Sequence, residues 1–328
     1  MSKTRVGVLR GGPSTEYEVS LKSGSSILST LRDDMSDRYH AIDIFIDKKG
    51  LWHIDGVAVT PEQVLKKVDV IFNALHGAYG EDGTVQALLD TFGIPYTGSQ
   101  AVPSAMGMNK QITNSIVARH GVKVPLSKEI PSHEILADVL SHARAIFNSF
   151  PIPVVVKPTS GGSSVGVTIA QTLEELTQAL SIAAALDRTV LVQEYIKGIE
   201  ATCGVIEHFR NEHIYALPPV EIRPAGQFFD YESKYSESGA REIVPATFSD
   251  ADKRTIEALA RTVHSALGLR HYSRSDFIIH PRRGVYFLEV NTLPGLTSQS
   301  LFPKALASVG GKLHELADHL IKLSLKLV

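Results

Sequence analysis

Strand and helix patterns alternate through the first 100 residues of this chain. A short apolar run at 6–9 ends in a glycine turn, and helical spacing follows at 16–31. Further apolar runs occur at 39–46 and 68–75, and the second leads through a His-Gly turn into helical spacing at 84–92. Parallel strands need crossover connections of this kind, so the alternation predicts an open, mainly parallel α/β sheet.

The remaining residues predict two smaller α+β units. Boundaries near residues 100 and 187 divide the chain into an α/β domain at 1–100, a central domain at 101–187 and a C-terminal domain at 188–328. Helices are expected at 110–120, 133–147, 173–186, 250–267 and 312–326, and strands at 122–130, 153–157, 190–196, 201–207, 272–280 and 285–291. A polar stretch at 224–240 is long enough to be a functional or disordered loop.

Charge and cysteine content exclude several classes of function. Lys and Arg number 33 against 35 Asp and Glu, so no overall positive field would attract nucleic acid or an anionic membrane. The single cysteine, Cys203, excludes an intramolecular disulfide and a cysteine-based zinc cluster. The N-terminus lacks the apolar stretch of a signal peptide, and no run approaches the roughly 20 apolar residues of a membrane span. We therefore expect a cytoplasmic protein that binds neither nucleic acid nor membrane.

Two carboxylates should face each other in the hairpin near the end of the chain. If its turn is symmetric about the two central arginines, Asp276 lies opposite Glu289 and Arg274 lies opposite Asn291. Opposed carboxylates repel each other, and a divalent cation would relieve the repulsion. Oxygen ligands alone suit Mg²⁺ bound jointly by protein and substrate phosphates rather than zinc. The alternative is a solvated acidic strand pair closed by Arg274, and the hairpin alone does not decide between them.

Three glycine-rich turns follow predicted strands and could bind a ligand. Lys157 precedes a Gly/Ser loop whose N–H groups and hydroxyls could hold phosphate oxygens, although the residue order is not that of a P-loop. A flexible connection is the alternative for this loop. The turns at 11–16 and 76–83 lie at the carboxyl ends of strands, where open α/β sheets bind ligands. Ordinary turn chemistry would also explain both, and His76 alone could be a structural histidine.

Together, five segments resemble the D-alanine:D-alanine ligases of the ATP-grasp superfamily, in the same order and over nearly the whole chain. They are GGPSTEYEVSLKSG (11–24), HGAYGEDG (76–83), KPTSGGSSVG (157–166), FDYESKY (229–235), and SRSDF with LEVNTLPGLTSQSLFP (273–277 and 288–303). The resemblance implies an ATP-grasp fold preceded by the α/β domain. It also implies that ATP phosphorylates one D-alanine, whose acylphosphate is attacked by the amine of a second, giving a dipeptide for peptidoglycan precursors.

The resemblance also assigns site residues. Contacts to ATP would come from Lys110, Lys157, Ser164, Gln193, Glu194, Ile196 and Glu200, and two Mg²⁺ or Mn²⁺ ions would be bound by Asp276, Glu289 and Asn291. The catalytic residues would be Glu16, Ser163, Lys234, Tyr235, Arg274 and Gly295, with substrate contacts from His76, Ser300 and Leu301.

In such ligases each of these groups has a distinct role. Lys234 would contact the transferring γ-phosphate, while Glu16 would bind the ammonium of the first D-alanine near His76. Arg274 and the backbone N–H of Gly295 would stabilise the acylphosphate and the tetrahedral intermediate. Ser300 and Leu301 would contact the carboxylate of the second D-alanine. Ser163 and Tyr235 would join Glu16 in a hydrogen-bonded network linking three domains, completed when a lid at about 226–243 closes.

Some alternatives stay open at this point. Gln193 stands where a carboxylate is common in the family, so the side chain that reads the adenine amine is undetermined. A ligase joining D-alanine to D-lactate or D-serine would share the nucleotide and metal residues, although Tyr235 favours D-alanine. A regulator that binds ATP on an inactive scaffold should lack a phosphate lysine or a metal ligand, and this chain keeps them. The family commonly forms dimers, so a homodimer is expected.

Overall fold

The computed structural model describes residues 3–160, 166–224 and 240–328, and its first sheet has five strands. They are β1 (Thr4–Gly11), β2 (Tyr39–Ile46), β3 (Trp52–Ile54), β4 (Val57–Val59) and β5 (Val70–Asn73), in the order β4-β3-β2-β1-β5. The predicted parallel pairing holds for β2, β1 and β5. At the edge, β3 and β4 are antiparallel because short turns return the chain directly.

Helices cover this sheet and lead out of it. They are α1 (Tyr17–Ser29), which continues as a π-helical turn at Thr30–Asp34, α2 (Pro61–Leu65), α3 (Thr84–Thr91), α4 (Ala101–Met108) and α5 (Lys110–Arg119). The π-helical turn begins inside the helix predicted at 16–31 and extends three residues beyond it. Asn109, between the last two helices, accepts a hydrogen bond from the N–H of Ile112 through its side chain and so caps α5.

The second sheet is small and antiparallel. Its strands are β6 (Ser127–Pro131), β7 (Val154–Pro158), β8 (Thr168–Ala170) and β9 (Thr189–Glu194), in the order β6-β9-β7-β8, and its helices are α6 (Ser132–Ala137), α7 (Val139–Ser149) and α8 (Leu173–Leu186). The helix predicted at 133–147 is two helices, because Asp138 leaves helical geometry and its side chain caps α7. The predicted domain boundary at 187 would separate β9 from the strands with which it pairs.

The third sheet is antiparallel throughout and belongs to the rest of the chain. Its strands are β10 (Ile199–Phe209), β11 (Glu212–Ala216), β12 (Val220–Pro224), β13 (Ala240–Ile243), β14 (Tyr272–His280) and β15 (Gly284–Asn291), and its helices are α9 (Asp250–Ala266), α10 (Leu301–Ser308) and α11 (Leu313–Ser324). Five of the strands follow the order β13-β12-β10-β14-β15, with β11 on β10. In the part of the chain that the structure describes, no helix is long and apolar enough to cross a bilayer.

The last helices pack on the first sheet and so join the two ends of the chain. Leu316, Leu320 and Phe302 are buried in one cluster with Val6 and Val8 of β1. This burial contributes on the order of 2 kcal/mol for each large side chain.

A buried histidine makes a second joint between the first and third sheets. The ring Nδ1 of His271 accepts a hydrogen bond from the N–H of Gly98 at 3.1 Å, and the backbone N–H of His271 donates to Glu207 Oε2 at 2.6 Å. Burial lowers the pKa of His271 to about 3, with the Arg270 charge acting in the same direction and Glu207 opposing it. The ring is therefore neutral in the folded protein.

The lowered pKa of His271 predicts that the folded protein loses stability in mild acid. The unfolded chain takes up a proton on His271 below about pH 6.5, whereas the folded chain does not, so stability falls as pH decreases from 6.5 towards 3. The contribution is about 2 kcal/mol between pH 6.5 and 5. His271→Asn keeps an acceptor and tolerates the left-handed backbone at φ 68°. Denaturant unfolding should give a flatter pH dependence for this variant, with exposed His133→Asn as the control. An unchanged slope would contradict the assignment.

Candidate active site

A single large cavity, of about 1300 Å³, contains every predicted site residue that the structure describes. From the first two sheets and α5 it is lined by Glu16, His76, Lys110, Lys157, Gln193, Glu194 and Ile196. From the third sheet and the loop after it, the lining residues are Glu200, Arg274, Asp276, Glu289, Asn291, Gly295, Ser300 and Leu301. Ser163, Ser164, Lys234 and Tyr235 lie outside the described residues.

The carboxylates of the late hairpin oppose each other as predicted. Asp276 pairs with Glu289, and Arg274 pairs with Asn291, across β14 and β15. Strand alternation places Glu289 and Asn291 on one face, and both line the cavity.

The predicted turn, however, is wrong in its centre. His280 pairs with Gly284, so the turn is centred on Arg282 rather than between the two arginines. A bulge beyond Asp276 then shifts the register by one residue, and Phe277 pairs with Phe287. The displaced turn centre and the bulge each shift the pairing by one residue in opposite directions, so Asp276 still pairs with Glu289.

Two cations compensate the charge of the acidic pair. Arg274 donates from Nε and Nη2 to the two oxygens of Asp276 at 2.9 and 3.0 Å, while Lys110 Nζ lies 3.4 Å from Glu289 Oε2. Thr202 Oγ1 donates to Asp276 Oδ1 at 2.6 Å and fixes the carboxylate further. Burial opposes the charge on Arg274, but Asp276 and Glu289 raise its pKa overall, so the guanidinium stays charged.

The donor set fits a magnesium ion. Asp276, Glu289 and Asn291 offer two carboxylates and one amide oxygen, and phosphate oxygens or water would complete the coordination. Within residues 3–160, 166–224 and 240–328, no cluster of three or more His, Cys, Asp or Glu is placed to hold a metal. One part of the alternative prediction holds, because Arg274 forms an ion pair with Asp276. The pair nevertheless lines the cavity beside Lys110, so it is not a solvated surface feature.

Lysines and an amide line the cavity beside the second sheet. Lys157 lies in β7, and the N–H of Lys110 donates to the Thr159 carbonyl just beyond that strand at 3.3 Å. Gln193 is 2% exposed, and its Nε2 has no hydrogen-bond partner among the described residues. The carboxylate of Glu194, in contrast, is bound by Arg283. Gln193 therefore has hydrogen-bonding capacity that the described protein groups do not use.

Two loops of the first sheet bring Glu16 and His76 together. Gly77 has φ of +70°, and a Cβ there would lie 2.7 Å from Glu16 Oε2 and 2.5 Å from Ser14 Oγ. Only glycine allows this approach without displacing the carboxylate. Burial lowers the pKa of His76, although Glu16 and the Leu293 backbone act in the opposite direction, so the ring is neutral.

Two buried residues of the site were missed by the sequence analysis. Glu81 accepts hydrogen bonds from the N–H groups of Gly77 and Leu293, both at 2.9 Å, and burial with the nearby Glu16 charge raises its pKa to about 7. Ser23 Oγ lies 2.8 Å from His76 Nε2. Glu81 and Ser23 both lie within segments that carry the family resemblance, at 76–83 and 11–24, but neither was assigned a role.

Comparison with known proteins identifies the family. A model described as D-ala D-ala ligase C-terminus matches residues 116–322, and one described as D-ala D-ala ligase N-terminus matches 5–64 and 54–99. The chain belongs to the D-alanine–D-alanine ligase family. It is 38% identical over 331 residues to a D-alanine–D-alanine ligase of Syntrophobacter fumaroxidans, covering 99% of this chain and 98% of that protein.

Solved structures of D-alanine–D-alanine ligases and their relatives share the fold. The VanG D-Ala:D-Ser ligase from Enterococcus faecalis has a TM-score of 0.85 at 30% identity, covering 98% of this chain and 100% of that one. The D-alanine–D-alanine ligase from Bacillus anthracis has a TM-score of 0.80 at 33% identity, covering 99% and 98%. The expected ATP-grasp fold with an N-terminal α/β domain is confirmed.

The Gly77 contact predicts a specific effect of adding one methyl group. Gly77→Ala and Gly93→Ala both place alanine in left-handed backbone, at φ +70° and +64°, and each should lose about 1–2 kcal/mol of unfolding free energy. A Cβ at Gly93 has nothing within 4 Å, so this variant is the control for backbone strain alone. Crystal structures should show Glu16 displaced only in Gly77→Ala. An unmoved Glu16 carboxylate would contradict the close approach.

Proposed function

We propose that this chain joins two D-alanines at the expense of ATP, giving D-alanyl-D-alanine, ADP and phosphate. The observation that carries the proposal is the shared cavity. The same space is lined by two lysines that can bind phosphate, Lys110 and Lys157, and by an opposed carboxylate pair. The loops that hold Glu16 and Gly295 line it as well. Such a site can hold a nucleotide phosphate against a substrate carboxylate, which acyl phosphorylation requires.

The first D-alanine would lie between Glu16 and Arg274. The Glu16 carboxylate would bind its ammonium group, and His76, neutral because it is buried, would lie near its carboxyl group. A carboxylate oxygen attacks the γ-phosphorus and ADP leaves, which produces D-alanyl phosphate. Arg274 and the N–H of Gly295 would then stabilise negative charge on the acylphosphate and on the tetrahedral intermediate.

The nucleotide would lie between the second and third sheets. Lys110 and Lys157 would bind its phosphates, and Glu200 its ribose. Ile196 would pack beside the base, while Gln193, Glu194 or the backbone of β9 would read the adenine amine. Asp276, Glu289 and Asn291 would hold two Mg²⁺ or Mn²⁺ ions. When bound, these ions would offset the charge that develops during phosphoryl transfer.

The second D-alanine would bind beside Ser300 and Leu301. Its free amine attacks the acyl carbon, the C–O bond to phosphate breaks, and a proton leaves the nitrogen as the peptide bond forms. We assign Lys234 to the γ-phosphate, Ser164 to the nucleotide, and Ser163 with Tyr235 to the network around Glu16. Tyr235 favours D-alanine over D-lactate as the acceptor. We further propose a cytoplasmic homodimer that supplies peptidoglycan synthesis.

Analysis of the reaction products tests the proposed function. Wild-type protein with Mg²⁺-ATP should release phosphate and form D-alanyl-D-alanine from D-alanine but not from L-alanine. Mixtures with D-lactate or D-serine should give the mixed product only as a minor species. Mass spectrometry identifies each product.

Glu289→Gln should reduce dipeptide synthesis by about 10³-fold or more, because it would remove a negative charge from the residues that would hold the two ions. Its melting temperature should stay close to that of the wild type, and exposed Glu134→Gln should remain fully active. Near wild-type synthesis by Glu289→Gln would overturn the metal assignment. If mixed products dominated, the assignment of D-alanine as the acceptor would be overturned. ATP binding without any product would favour a regulator on an inactive scaffold.

A further inference from the structure

The loop that carries Gly295 is held on both sides by the first sheet and its helices. The N–H of Leu293 donates to Glu81 Oε1 at 2.9 Å, two residues before Gly295. The N–H of Leu296 donates to Ser23 Oγ at 3.3 Å, one residue after it. Two side chains from distant parts of the sequence therefore fix the backbone that flanks Gly295.

Each of these side chains also holds the loop after β5. The second oxygen of Glu81 accepts from the N–H of Gly77 at 2.9 Å. Ser23 Oγ lies 2.8 Å from His76 Nε2. One anchor thus joins the backbone beside His76 to the Gly295 loop, and the other joins the imidazole itself to that loop.

Both anchors are buried, so water cannot easily replace them. Ser23 is 0% exposed and Glu81 is 9% exposed. Leu293 and Leu296, whose N–H groups they bind, are 2% and 1% exposed. A buried N–H that loses its acceptor is costly, so the loop would have to move to find another partner.

We propose that Ser23 and Glu81 are positioning residues, which hold the Gly295 N–H in register with His76 and Glu16 across the cavity. The proposal rests on the proposed function, since that function gives the Gly295 N–H its catalytic role. A donor for a developing oxyanion must be oriented before the charge appears. A shift of about 1 Å in such a group can cost on the order of 10²-fold in rate.

Isosteric or nearly isosteric variants separate this role from simple packing. Glu81→Gln keeps the shape but has one oxygen for two N–H donors, and its amide group would face the other donor. Ser23→Ala removes the hydroxyl from both of its contacts. Ser104→Ala is the matched control, because Ser104 is also 0% exposed and donates to the Ser99 carbonyl away from the cavity.

Hydrogen exchange tests the anchoring without reference to catalysis. Mass spectrometry of the peptide covering 292–297 should show exchange faster by about tenfold or more in Ser23→Ala and Glu81→Gln. The Ser104→Ala variant should exchange like the wild type in this peptide. Unchanged exchange in both variants would overturn the proposal, whatever the enzyme's activity.

Steady-state kinetics then test the catalytic consequence. Both variants should lower kcat for dipeptide synthesis by about 10- to 100-fold, while the KM for ATP stays within about twofold of wild type. A change in the KM for ATP with normal kcat would indicate general loosening and overturn the proposal. Absence of dipeptide synthesis in the wild type would instead remove the proposed function, and the exchange data would still decide whether the anchors exist. If Ser23→Ala does not fold, Glu81→Gln alone decides.

Discussion

The opposed carboxylates of Asp276 and Glu289 are the constraint around which the third sheet meets the rest of the molecule. Two like charges at neighbouring positions of a β-hairpin destabilise it unless cations lie close by. Arg274 supplies one cation from the same sheet, and Lys110 supplies the other from the start of α5. The same charge arrangement that stabilises the hairpin leaves oxygen atoms facing a cavity, where they could serve as metal ligands.

The first sheet contributes to this cavity through backbone geometry as much as through side chains. Gly77 has a left-handed backbone, which lets Glu16 approach the loop that follows β5. Ser23 and Glu81 then bind the loop around Gly295 from the same side. At the far end of the chain, the helix Leu313–Ser324 shares one buried cluster with β1 and β5. The loops that hold Glu16, His76 and Gly295 and the hairpin that carries the opposed carboxylates are therefore parts of one packed structure.

Patterns of local sequence predicted much of this arrangement. Strand β2, helix α8 and strand β14 have the predicted bounds. The pairing of Asp276 with Glu289 was also predicted, but from a turn whose true centre is at Arg282. A compensating bulge lies beyond the reach of that argument, since bulges depend on tertiary packing.

Long-range contacts account for what the sequence did not reveal. The membership of β9 in the second sheet depends on pairing with strands 30 or more residues earlier in the chain. Ser23 had no local signal of its contact with Leu296, because that contact joins residues 273 positions apart. Glu81 resembles an ordinary turn residue until Leu293 is brought against it. The motif resemblance nevertheless gave the family correctly, and each of its site residues in the described part of the chain lines one cavity.

Transfer of oxygen from D-alanine to phosphate tests the central claim most directly. D-Alanine labelled with ¹⁸O in its carboxylate would be incubated with the protein, Mg²⁺ and unlabelled ATP, and the released phosphate analysed by mass spectrometry. An acylphosphate pathway predicts one ¹⁸O atom in each phosphate released together with the dipeptide, because the carboxylate oxygen leaves with phosphorus. Phosphate without ¹⁸O would mean that water, rather than D-alanine, attacks ATP, and would contradict the account.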